Sequence, residues 1–106
     1  MRREDRSLAI SDHAVDRFRE RTGAMHLPPE ECRKVIRQEI MHAMRCGAEE
    51  EHYVRGQSFV RIVLLGVTVC AVIGRDTTGW SNTGKAVTTI LTPEQLAHGP
   101  KGHGRG

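Results

Sequence analysis

Ser58-Phe59-Val60-Arg61-Ile62-Val63-Leu64 and Val67-Thr68-Val69-Cys70-Ala71-Val72-Ile73, separated at Gly66, decide the fold class of this chain. Both runs are rich in β-branched residues, which pack well on a pleated surface. A glycine between them permits the tight turn an antiparallel pair needs. Upstream, Tyr53-Val54 and the turn residues Arg55-Gly56-Gln57 predict a further strand. Downstream, the polar, glycine-rich stretch 74–84 predicts a long loop, and Lys85 to Leu91 a last strand. Strands joined by short turns imply a four-stranded antiparallel meander.

The half before His52 has the helical period instead. Ser11 offers a hydroxyl N-cap and Asp12 an acid in the first turn, which complements the helix dipole. The first helix is expected to run to about Thr22, with Gly23 as its left-handed cap. Ala14, Val15, Phe18 and Thr22 share one face at about 100° per residue. Pro28-Pro29-Glu30-Glu31 starts a second helix, expected from about Pro29 to Cys46. Its apolar stripe comprises Cys32, Val35, Ile36, Ile40, Ala43 and Met44. Leu8-Ala9-Ile10 fits either a short strand or a hydrophobic contact at the entrance of the first helix. Thr92-Pro93-Glu94-Gln95 starts one more helical turn. The expected class is α+β, with two N-terminal helices on one face of a four-stranded antiparallel sheet. Residues 1–97 form the expected single domain, and the glycine-rich basic tail 98–106 is expected to be disordered.

Composition agrees with a globular domain: 38% hydrophobic, 27% charged and 4% aromatic over 106 residues. The apolar-rich stretch 59–73 is interrupted by Arg61, Gly66 and Thr68, which excludes a spanning helix there. No signal-type apolar run follows the charged N-terminal residues, so a cytoplasmic location without membrane association is expected. Cys32, Cys46 and Cys70 are odd in number and lack metal-ligand spacing. They read as small buried hydrophobes in a reducing compartment, with no disulfide, metal or cofactor expected.

The net charge is +3, unevenly spread. Residues 52–92 carry Arg55, Arg61, Arg75 and Lys85 against the single acid Asp76, whereas residues 24–51 carry an excess of acids. A basic sheet behind an acidic helix suggests a phosphate-facing side and a polyanionic partner, RNA among them. Arginine outnumbers lysine thirteen to three, and its fork suits phosphate. Arg55, Arg75, Lys85 and the loop Trp80, which can stack on a base, are the candidate RNA-contacting residues. Gly79 to Lys85 lacks the strand-loop-helix context of a phosphate loop.

His13, Arg17 and Arg21 are spaced four apart and make one ridge of the first helix, bordering its apolar stripe. A histidine can exchange a proton near neutral pH, and arginines can neutralise a phosphorane. Together they match what a metal-free ribonuclease requires. Basic residues at this spacing also occur on any solvated helix surface, and both readings stand on spacing alone.

Ser11-Asp12-His13-Ala14-Val15-Asp16-Arg17-Phe18-Arg19-Glu20-Arg21, followed by a second helix and strands ending in Val87-Thr88-Thr89-Ile90-Leu91, resembles a group of small bacterial and phage domains. Their first helix carries His-Ala, with Arg four and eight residues after the histidine. That group is related to the RelE, barnase and colicin D/E5 ribonuclease superfold. The resemblance implies a toxin-like or phage-encoded protein that cleaves or binds RNA phosphodiesters. By motif position it makes His13 the acid/base candidate and Arg17 and Arg21 phosphate ligands, with Arg61, Thr88 and Thr89 as supporting groups on the sheet. A cognate antitoxin is a partner it would bring. The alternative is a non-catalytic phage or mobile-element module that inhibits a host protein or nucleoprotein complex. A homodimer sharing its sheet is a third arrangement.

Overall fold

A computed structural model describes residues 6–98. The fold is α+β, as expected, but its sheet has five strands and is mixed. The elements are β1 (Ala9–Ile10), α1 (Asp12–Thr22), α2 (Pro29–Arg45), β2 (Glu51–His52), β3 (Ser58–Leu64), β4 (Val67–Arg75), β5 (Lys85–Leu91) and α3 (Pro93–His98). The spatial order is β1-β5-β4-β3-β2. β3, β4 and β5 form the expected meander, whereas β1 adds in parallel to β5, pairing Ala9 with Ala86 and Ile10 with Val87. Two residues give no period to read, which is why this strand is indistinct in sequence.

The strand expected at Tyr53-Val54 lies two residues earlier, with Glu51 opposite Phe59 and His52 opposite Ser58. Tyr53 and Val54 instead close the turn, Tyr53 N donating to Gln57 O and Gln57 N to Val54 O. The β3–β4 connection is the two-residue turn Leu65-Gly66, with φ of 48° and 81°. Positive φ at both positions matches the right-handed twist of the flanking strands.

α1 is capped as its sequence implies: the Ser11 hydroxyl accepts from Ala14 N, and Gly23 (φ 77°) donates to Arg19 O. α2 ends at Arg45, with Cys46 as its cap residue. That position leaves Cys46 exposed, unlike the buried Cys32 and Cys70, and all three thiols are free.

Both long helices cover one face of the sheet. Phe18, Val15, Cys32, Ile36 and Ile40 meet Val60, Ile62, Leu64, Val69, Ala71, Ile73, Val87 and Ile90 there. On the opposite face Phe59, Cys70 and Val72 form a smaller cluster under Tyr53, Leu91 and Leu96. The short α3 thus covers part of the face that the two-helix reading left bare. β4 is central and buried from Val69 to Ile73, while β3 alternates buried Val60, Ile62 and Leu64 with exposed Arg61 and Val63. Among the described residues no helix is long and apolar enough to cross a membrane. The tail from residue 99 onward lies outside the described residues.

Candidate functional site

The register of β5 on β4 slips at Thr88: Val72 opposes Thr89 and Ile73 opposes Val87, so Thr88 is the extra residue of a bulge. Its carbonyl turns toward α1 and accepts from the Ser11 hydroxyl at 3.0 Å. Ser11 N donates to Val87 O, also at 3.0 Å. One residue therefore caps α1, ends β1 and ties both to the bulge.

α2 holds β1 from the other side. Arg33 Nε donates to Ile10 O and Arg37 Nε to Leu8 O, both at 3.0 Å. The Arg33 guanidinium also pairs with Glu30 at 2.9 Å and with Asp12, linking the first turns of the two helices. Both acids complement a helix N-terminus, and Arg33 offsets their charge.

The loop between β4 and β5 folds back onto this assembly. The Asp76 carboxylate accepts from the Thr78 hydroxyl (2.6 Å), Thr78 N (3.0 Å) and Ser81 N (2.8 Å). The Thr78 hydroxyl, then the Ser81 and Thr78 amides, hold this carboxyl well below the usual carboxylate range. Arg6 Nε donates to Trp80 O, Asn82 N to Arg6 O, and the Thr83 hydroxyl to Ser7 O. The guanidinium carbons of Arg6 and Arg37 each lie 4.9 Å from the Trp80 ring centroid, a cation–π arrangement.

Between the loop, β1 and the start of α2 lies a cavity of about 680 Å³. This is within the range of small-molecule sites. Arg6, Arg33, Arg37 and Arg75 line it, with Asp12, Glu30 and Asp76. Asp12 and Glu30 are committed to Arg33, and Asp76 to its own loop. Arg75 is exposed and has no ion pair among the described residues. The lining therefore keeps one uncommitted positive charge and can take an anion.

Of the residues singled out in sequence, Arg75, Trp80 and Thr88 meet in this cavity. The ridge of α1 does not line it. His13 is exposed on the helix surface, Arg17 pairs with Glu20 at 2.5 Å, and Arg21 donates to Gln95 of α3 at 2.6 Å. Arg61 lies exposed on β3, beside Glu39 and His42 in a second, shallower groove. Thr89 is half-buried opposite Val72. Arg55 occupies the β2–β3 turn at φ 46°, and Lys85, cross-strand from Arg75, pairs with Glu50 at 3.6 Å. Trp80 is held by two guanidinium groups, so its first role is to dock the loop.

Arg6, Arg33 and Arg37 line the cavity although sequence reasoning did not single them out. The available signal was the four-residue spacing of Arg33 and Arg37 at the border of the α2 stripe. Among the described residues no group of three or more His, Cys, Asp or Glu side chains is placed to hold a metal ion. No known family, no curated protein and no solved structure matches the chain.

Proposed function

We propose that this protein binds RNA through its phosphodiester backbone, in the arginine-lined cavity between the β4–β5 loop, β1 and α2. The observation that carries this reading is the convergence of four arginines on one cavity, with Arg75 in no ion pair among the described residues. Guanidinium forks recognise phosphate oxygens in bidentate fashion. Trp80 lines the same cavity, its ring held between Arg6 and Arg37. The resemblance of the first helix to ribonuclease-related domains supports RNA as the polyanion.

Binding is favoured over turnover. His13 stands outside the cavity, and the arginines that would share its work are engaged with Glu20 and Gln95. A general base must come within hydrogen-bond reach of the proton it removes.

The test is fluorescence anisotropy with a short single-stranded RNA at several salt concentrations. The logarithm of affinity should fall linearly with that of salt, and Arg75→Glu should weaken binding and lower the slope by about one. Affinity that ignores salt, or that is unchanged in Arg75→Glu, overturns the reading. Incubating the same RNA in EDTA with wild type and His13→Ala separates the two versions. Cleavage lost in the variant would establish a nuclease and displace the binding-only reading.

A further inference from the structure

At the β3 end of the sheet, β2 covers only Ser58 and Phe59. Beyond it the outer side of β3 is open. In a two-residue hairpin the residues flanking the turn, here Leu64 and Val67, form the first hydrogen-bonded pair. Ladder bonds to β4 then fall to residues 58, 60, 62 and 64, and Arg61 and Val63 turn their backbone N–H and C=O groups outward. Among the described residues neither has a backbone partner outside the β3–β4 ladder. Natural edges are commonly blunted by charged side chains, proline or a bulge. β3 carries one such charge, Arg61, but no proline, and its register on β4 is unbroken from Ser58 to Leu64.

The surroundings of this edge are apolar. Val63 is 51% exposed and Leu65 56%. Met41 and Met44 of α2 are also exposed. Glu39 and Arg61 line the groove here without a partner of opposite charge among the described residues.

From this we infer that β3 pairs with β3 of a second copy, antiparallel about a two-fold axis near Ile62, giving a sheet continuous across the dimer. The inference is independent of the RNA cavity, which lies at the opposite end of the sheet. A second copy fits because the edge complements itself. Each outward-facing residue offers one donor and one acceptor, and antiparallel pairing about Ile62 sets Arg61 opposite Val63 of the copy, satisfying both reciprocally. The charge at the edge agrees: such pairing never sets Arg61 opposite its own copy, whereas parallel in-register pairing would. The contact is short, so the dimer is a weak one, in dynamic exchange with monomer.

Sedimentation velocity of the full chain across the micromolar range is the test, with Val63→Pro and Val63→Lys beside wild type. Proline removes only an outward-facing N–H, which an edge strand tolerates, and lysine adds a charge to the rim. Wild type should shift reversibly to the dimer mass with concentration, and each variant should raise the dissociation constant at least about tenfold. Circular dichroism melting checks that the variants remain folded. Should one fail to fold, amide exchange of wild type decides: the Arg61 and Val63 amides should gain protection as concentration rises. A wild-type monomer throughout, variants that associate like wild type, or Arg61 and Val63 exchange independent of concentration would each overturn the inference.

Discussion

At one end of the sheet the outer carbonyls of Leu8 and Ile10 are taken by Arg37 and Arg33; at the other, Arg61 and Val63 of β3 have no such cover. The covered edge depends on a match of two repeats. Two residues of extended chain advance about 6.7 Å, and four residues of helix about 6 Å. Guanidinium groups one helical turn apart therefore reach alternate carbonyls of a strand. Beside the open edge α2 presents Glu39, His42 and Ala43 rather than arginines in step with the strand, and β2 stops after two residues. The comparison teaches that a sheet edge can be closed by side chains alone when the adjacent helix carries arginines in step with it. The closure also gathers positive charge, and the RNA-binding cavity proposed above forms where the covered edge meets the β4–β5 loop.

The covered edge can be broken. Arg33→Ala with Arg37→Ala should cost about 3 kcal/mol, from charged hydrogen bonds to two carbonyls and a cation–π contact, read as a lowered midpoint in urea. Trp80→Ala should cost about 2 kcal/mol and speed amide exchange over residues 76–84. Ser11→Ala, which removes the α1 cap and the bond to Thr88 O, should cost about 1 kcal/mol.

Acid should loosen the same end. The folded-state pKa of Asp76 lies below its unfolded value. Its contribution is therefore complete above the unfolded pKa of about 4 and is lost as pH falls through the folded one. Asp76→Asn should remove that pH-dependent part. The gap in urea midpoint between wild type and variant should be widest near neutrality and narrow on acidification below about pH 4. The smallest effect on stability is expected at the open edge. Val63→Lys should change unfolding free energy by no more than about 0.5 kcal/mol, while changing self-association as described above.

The pattern of legibility follows the same division. Ser11, Gly23, Pro29 and the runs around Gly66 act through neighbours a few residues away, so α1, α2, β3 and β4 were readable. β1 acts only through residues far along the chain: Ala9 meets Ala86, and its neighbours meet a helix turn that reads as solvated surface. The same limit applies to the site. The four-residue spacing of His13, Arg17 and Arg21 is borne out as helical adjacency, but spacing says nothing of what a ridge faces. Arg17 faces Glu20 and Arg21 faces Gln95. Trp80 and Arg75 came into view as an unusual loop and a basic sheet, whereas Arg6 gains its place only through the loop that closes on it.

The parallel pairing of β1 with β5 has a consequence for how the chain is made. Residues 9 and 10 leave the ribosome well before their strand partners, residues 86 and 87. Closing so long a loop costs entropy that local contacts do not repay. The β3–β4 hairpin, with its two-residue connection, is expected to form first, and the N-terminal segment to dock last. During synthesis, then, the arginine cavity assembles only after nearly all of the described chain has emerged, and a nascent chain halted before β5 would carry the arginines without the pocket.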